Sequence, residues 1–484
     1  MSEPRSTGDV RIVSRRMIRP SLPPEQRPEP EPEPESIHLT PWDLRMITLE
    51  YIQKGVLLPN AIAAGGVVER VASSLARALG RFYPFAGRLA ATSPQPQSLA
   101  ISLRCSGEGA EFVHAVAPGV TAADVAASLY IPRVVWSFFP LDGLLGADAV
   151  AGSRPVLAAQ VTELADGVFI AMSLNHCGAN NHGVADGTTF WHFINTWSEL
   201  SRRSVGGSSD DDVVISAPSP VFDRQWFLDS CPVPVPIPLP FGTVEDMVGK
   251  RVPQFPPVHE CFLHFPAERV KELKAKANAE MAGTATTTIS SLQALLAHLW
   301  RAVCRARRLA PEQKMAYYLL VGCRGRVDGI RASYAGNAVV AHASTASPAG
   351  EILGRGLAWA AWLLNRAVAS FAEASAREKL ARWPLEPSFS SLPALVATAR
   401  AMVLTGSSPR FDVYGNDFGW GAPVAVRSGP ANKLDGKATV YEGRGGQGSM
   451  ALEVCLAPEA LARLVADEEF MSAVATPGYL AMVT

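Results

Sequence analysis

Between residues 201 and 257, proline and glycine interrupt every attempt at regular structure. The run from Cys231 to Gly242, CPVPVPIPLPFG, places proline at every second position. Each proline lacks a backbone donor and fixes its own φ, so this stretch excludes a helix or a central strand. It reads as surface loop and crossover. The chain of 484 residues is too long for one hydrophobic core, and the crossover divides it into two halves of similar size.

Helical and strand periods are mixed throughout both halves. Val67, Val71, Leu75 and Leu79 recur every four residues. Phe190, Phe193, Ile194, Trp197 and Leu200 form one helical stripe. Ile289, Leu292, Leu295, Leu296, Leu299 and Val303 form another, with Thr288 or Ser290 as the N-cap. Between them stand strand-like runs, LAISLRC, VLAAQVTEL, GVFIAMSL, YYLLVGCR, KATVYEG and MALEVCLA. This mixture predicts an α/β class of mixed α+β character. The expected domains are 1–36, a short strand (Val10–Ile18) followed by a Pro/Glu-rich spacer; 37–220; a crossover loop at 221–257; and 258–484. Folded sequence is expected to begin near Ile37, because Pro and Glu alternate from Pro28 to Glu35 and such a segment stays extended and solvated.

Composition excludes several classes. Apolar residues at 48% and charged residues at 18% suffice for buried cores, and a net charge of −1 offers no pull on nucleic acid or an anionic membrane. No apolar stretch is long enough to span a bilayer, and the polar N-terminus lacks the apolar run of a signal peptide. Seven scattered cysteines without a CxxC pair argue against a disulfide framework or a zinc site, so a cytoplasmic location is expected.

Three motifs bear on chemistry. The stretch SLNHCGANNHGVADG, Ser173–Gly187, contains Asn-His twice, and His182 stands four residues before Asp186. A histidine on a strand-to-helix turn is mostly neutral near neutral pH and can accept a proton from an alcohol or amine. On spacing alone, the preferred reading makes Asp186 a helix cap and His182 an ordinary turn residue. A metal would need a third ligand, for which only His192 offers itself; no metal is expected. NDFGWGAP, Asn416–Pro423, has Gly419 and Gly421 flanking Trp420 and reads as a tight turn. GRGGQG, Gly443–Gly448, sits between two strands with no helix behind it, so it reads as a hairpin loop and not a dinucleotide site. The chain has no GxSxG, HExxH or P-loop.

Taken in order, these motifs resemble those of the plant BAHD family of acyl-CoA-dependent acyltransferases, marked by HxxxD near the middle and DFGWG towards the C-terminus. LTPWDLRMITLEYIQKG (Leu39–Gly55), RFYPFAGRL (Arg81–Leu89), DGTTFWHFINTWSEL (Asp186–Leu200), ISSLQALLAHLWRAVCRAR (Ile289–Arg307) and SYAGNAV (Ser333–Val339) extend the resemblance over nearly the whole chain. It implies two domains like chloramphenicol acetyltransferase with a solvent channel between them. It implies acyl transfer from a CoA thioester to a hydroxyl or amine of a small specialised metabolite, without a covalent acyl-enzyme. Acyl-CoA would be a co-substrate rather than a bound cofactor, and the protein a monomer. His182 would be the general base, and the Trp420 indole N–H would stabilise the oxyanion. Asp186, paired with Arg324, would be structural, as would Asp417, Gly419 and Gly421. Lys274, Lys276, Ser290 and Ser291 would face CoA, although both lysines also fit a solvated helix face. Arg410 would hold an acceptor carboxylate or else form a core salt bridge.

The sequence departs from the family pattern in three places. CGANNH looks like a six-residue insertion or duplication; spacing to Asp186 favours His182, whereas strand register leaves His176 in play. Ala422 follows DFGWG where a basic residue is usual. The Pro/Glu stretch is an addition. A lyase acting on a small acid in the same channel, or a non-catalytic binding protein, also fits this scaffold.

Overall fold

The computed structural model of the chain describes residues 10–21, 35–59, 66–151, 154–175, 184–204, 215–249, 256–281 and 288–475, apart from the side chains at 341–345 and 407. Two six-stranded mixed sheets form its frame. The first runs β1 (Arg11–Ile18), β6 (Ala110–Ala117), β7 (Leu157–Leu164), β8 (Gly167–Leu174), β3 (Ile52–Pro59) and β13 (Ala425–Ser428). Only β6 and β7 pair in parallel there. The second runs β11 (Val339–Pro348), β10 (Lys314–Gly322), β12 (Met402–Ser407), β14 (Lys437–Glu442), β15 (Met450–Leu456) and β9 (His259–Phe265). β10, β12 and β14 are parallel neighbours in it. A small sheet of β2 (Ser36–His38), β5 (Ala100–Arg104) and β4 (Arg88–Thr92) flanks the first.

Sequence pattern explains the central elements. All eight residues of β8 are buried, as an uninterrupted apolar run requires of a strand covered on both faces. The predicted stripe of Val67, Val71, Leu75 and Leu79 is the buried face of the helix Val67–Arg81. That face packs on the long helix Gly187–Arg203, where Trp197 Nε1 donates to Val71 O at 3.1 Å. The third stripe becomes the helix Ser291–Ala306, capped by Ser290, and its apolar face fills the second core. The glycine-rich run joins β14 to β15 as an antiparallel hairpin.

Two expected boundaries are corrected. Folded sequence begins at β1, not near Ile37, because β1 pairs with β6 along its length. As an edge strand with exposed side chains it carries no apolar alternation to announce its place in a sheet. Nor is 258–484 a separate unit, because β13 leaves the second half and pairs with β3 in the first sheet. Four residues are too few to show on their own face which sheet they join. Among the described residues, no helix is long and apolar enough to cross a membrane.

Candidate active site

The HxxxD corner is built where the two halves meet. β8 ends at Leu174, and Asn175 follows it, buried, with its N–H on Val156 O at 2.6 Å and its Nδ2 on Gly146 O at 3.1 Å. His176 and His182 lie outside the described residues. The described chain resumes at Val184 and reaches Asp186, the N-cap of the helix Gly187–Arg203.

Asp186 is fully buried and engaged on both oxygens. Oδ1 accepts from Thr189 N at 2.9 Å, and Oδ2 accepts from Ala338 N at 3.0 Å and from Arg324 Nη1. Arg324 also donates to Tyr334 O at 2.7 Å, Gly336 O at 2.9 Å and Thr189 Oγ1 at 3.0 Å. The ion pair therefore carries the extra hydrogen bonds that a buried pair needs to offset desolvation. It ties the first half's helix to residues 324–338 of the second half. Asn337 continues the tie by donating from Nδ2 to Trp42 O at 2.6 Å.

A second segment runs alongside the same helix from end to end. Gly187 abuts Phe411, whose ring would stand 3.3 Å from an added Cβ. Further along, Ser198 Oγ donates to Asn416 Oδ1 at 3.1 Å, and Ser201 Oγ donates to Phe418 O at 2.9 Å. The Phe418 ring meets Trp197 edge-on at 5.2 Å. Asp417 Oδ1 accepts from the N–H groups of Gly419, Trp420 and Gly421 at 2.7, 3.0 and 2.9 Å. Gly419 and Gly421 adopt φ of 105° and 93°, which side chains disfavour.

This arrangement gives the seat of Trp420. Phe418 is tied to Ser201, fifteen residues from Asp186, or about 22 Å along a helix. The Trp420 ring lies under the Arg70 guanidinium at 4.4 Å. Its buried Nε1 has no acceptor among the described residues. The tryptophan is thus anchored towards the far end of the helix, with its indole N–H free to donate.

The residues expected to face CoA form one neighbourhood of the second half. Lys274 and Lys276 lie on the helix Ala267–Met281, the first half-buried and the second exposed. Asn278 Nδ2 donates to both Lys274 O and Ile289 O, at 2.7 and 3.1 Å, joining this helix to the segment before Ser290 and Ser291. Ser290 Oγ is committed to its own helix, accepting from Gln293 N at 3.3 Å. Arg410 is exposed, and its guanidinium has no ion pair among the described residues, which overturns the core salt bridge.

Sequence reasoning missed a buried charge network between the sheets. Lys54 Nζ donates to Ser428 Oγ at 2.5 Å and to Tyr441 OH at 2.8 Å. Lys433 Nζ bridges the carboxylates of Glu453, at 2.5 Å, and Glu260. Burial lowers the Lys54 pKa to about 7, Glu453 opposing the shift. Burial also works against the charge on Lys433, but Glu260 and Glu453 outweigh it and hold this lysine above its ordinary range. Glu260, Glu453 and Cys455 converge as a metal site would, yet the Lys433 ammonium already bridges the two acids. The available signal was a single charge within each apolar strand, IQKGVLLP and MALEVCL.

The sequence matches the Transferase family over residues 9–471. An uncharacterized acetyltransferase of Arabidopsis thaliana is 32% identical over 466 residues, covering 96% of this chain and 99% of its own length. BAHD acyltransferase DCR of Arabidopsis thaliana is 30% identical over 472 residues, covering 96% and 92%. The solved structure of F. sporotrichioides TRI101 complexed with coenzyme A and T-2 is 18% identical, has a TM-score of 0.64, and covers 90% of this chain and 98% of its own.

Proposed function

Because this chain belongs to the Transferase family, that of the BAHD acyltransferases, we propose that it moves an acyl group from a CoA thioester to a hydroxyl or amine of a small acceptor, with His182 as general base. The imidazole takes the acceptor proton as the oxygen or nitrogen attacks the thioester carbonyl. The tetrahedral intermediate collapses, the C–S bond breaks, and the imidazolium returns the proton to the departing CoA thiolate. General-base catalysis of this kind contributes about 10²–10⁴-fold.

The observation that carries this reading is the state of Asp186. Its carboxylate is fully buried and holds Arg324, Thr189 N and Ala338 N. The acid of HxxxD is thus occupied in fixing the corner, which leaves proton transfer to a histidine. Direct attack is supported by three of the described thiols. Cys304, Cys323 and Cys455 are buried and pushed up to about 12, where little nucleophilic thiolate exists. Lys274, Lys276, Ser290 and Ser291 remain our candidates for the CoA side.

The test is rapid-quench mixing with acyl-CoA, with and without acceptor. CoA release that requires acceptor from the first turnover is expected. A stoichiometric burst of CoA without acceptor would reveal an acyl-enzyme and refute direct transfer.

A further inference from the structure

A cavity of about 450 Å³ lies between the short helix Pro41–Leu44 and the helix Glu373–Arg382. Its volume is in the range that holds a small organic ligand. Trp42, Phe371 and Trp383 supply an aromatic lining. The cavity adjoins the HxxxD corner. Val340 in its wall is two residues from Ala338, whose N–H is held by Asp186, and Trp42 O accepts from Asn337.

Arg45, just past the short helix, lines the same cavity. Its Nε is buried and has no hydrogen-bond partner among the described residues, and no carboxylate pairs with it there. Burial pushes its pKa below the usual arginine range. Lys379, also in the lining, has no ion pair among the described residues. Arg382 is a third cation, and the one lining acid, Glu386, is engaged by it at 2.9 Å. A part-buried guanidinium whose Nε is covered and lacks a counter-ion costs stability unless a ligand supplies the opposite charge.

We infer that this cavity is the acceptor subsite for a flat molecule carrying a carboxylate, with Arg45 as the anchor. The inference rests on the acyl-transfer reading for the word acceptor alone. A planar guanidinium meets a carboxylate through two parallel hydrogen bonds, and the aromatic walls take the ring. A phosphate of CoA shares the anionic chemistry, so the test separates the two sources.

Benzoate and benzamide are titrated calorimetrically into the full chain. Benzoate is expected to bind more tightly by about 10- to 100-fold, the worth of one charge-assisted pair. Arg45→Gln should erase that preference and leave benzamide binding unchanged; Arg45→Lys should keep part of it, and Arg410→Gln all of it. Removing an uncompensated buried charge should leave the Tm of Arg45→Gln unchanged or higher, so lost binding is not unfolding. In turnover, Arg45→Gln should raise KM for an acidic acceptor and leave KM for acyl-CoA alone. Equal affinity for acid and amide, a preference that survives Arg45→Gln, or a rise confined to the acyl-CoA KM each overturns the inference. An Arg45-dependent acid preference in a chain that releases no CoA upholds the carboxylate subsite and sinks the acyl-transfer reading instead.

Discussion

Asp186 and Arg324 stand 138 positions apart and form one buried unit, with side-chain exposures of 0% and 10%. Breaking one member of such a pair leaves a desolvated charge without its partner, at a cost of about 3–5 kcal/mol. Asp186→Asn is therefore expected to lower the midpoint of urea unfolding by that loss divided by the slope, with the slope itself unchanged. A change below about 1 kcal/mol would mean that the corner is not held by this pair. Within HxxxD, an acid bonded on both oxygens positions the corner, and the proton transfer we propose falls to the imidazole.

The helix Gly187–Arg203 is the spine of the site, with Asp186 at its start and the DFGWG turn against its far half. If Trp420 stands apart from the chemistry, Trp420→Phe keeps kcat within about threefold. Loss of an oxyanion donor would instead cost about 10²–10³. Asp417→Ala, which strips an acceptor from three backbone N–H groups, should cost about 1–2 kcal/mol by urea unfolding, as loss of a helix cap does. These elements were legible to different degrees. The long helices were plain because their apolar stripes recur over four turns, and the two-part α/β frame followed from them. β1 and β13 were not placed, because edge exposure erases the alternation in one and four residues are too few in the other. The seat of Trp420 was not legible, because a motif says which residues form a turn, while the seat depends on Ser201 and Arg70, far away in sequence. Arg45 went unremarked, since the absence of a partner shows only once the neighbours are known.

At the scale of the molecule, β13 and the charge network bind the two halves into one body. Lys54 on β3, Ser428 on β13 and Tyr441 on β14 meet across both sheets. Such a seam makes stability depend on pH. The folded state lowers Lys54 from 10.5 to about 7, so it binds the proton less readily than the unfolded chain. Stability from this group accordingly rises with pH between about 7 and 10.5, by about 1.4 kcal/mol per unit at most. Below about 7 its burden is complete and constant. Lys54→Met lacks that burden, so its Tm relative to the native chain should be highest below pH 7 and fall steadily towards pH 10. A difference independent of pH would show that Lys54 keeps an ordinary pKa.

The proposed proton transfer rests on one imidazole, that of His182. The measurement is kcat for acceptor-dependent CoA release by the native chain, His182→Ala and His176→Ala under one condition, with all three shown to be folded. His182→Ala is expected to lose about 10²–10⁴-fold in kcat and His176→Ala to keep near-native turnover. Full activity in His182→Ala, or the loss falling on His176→Ala alone, would contradict it.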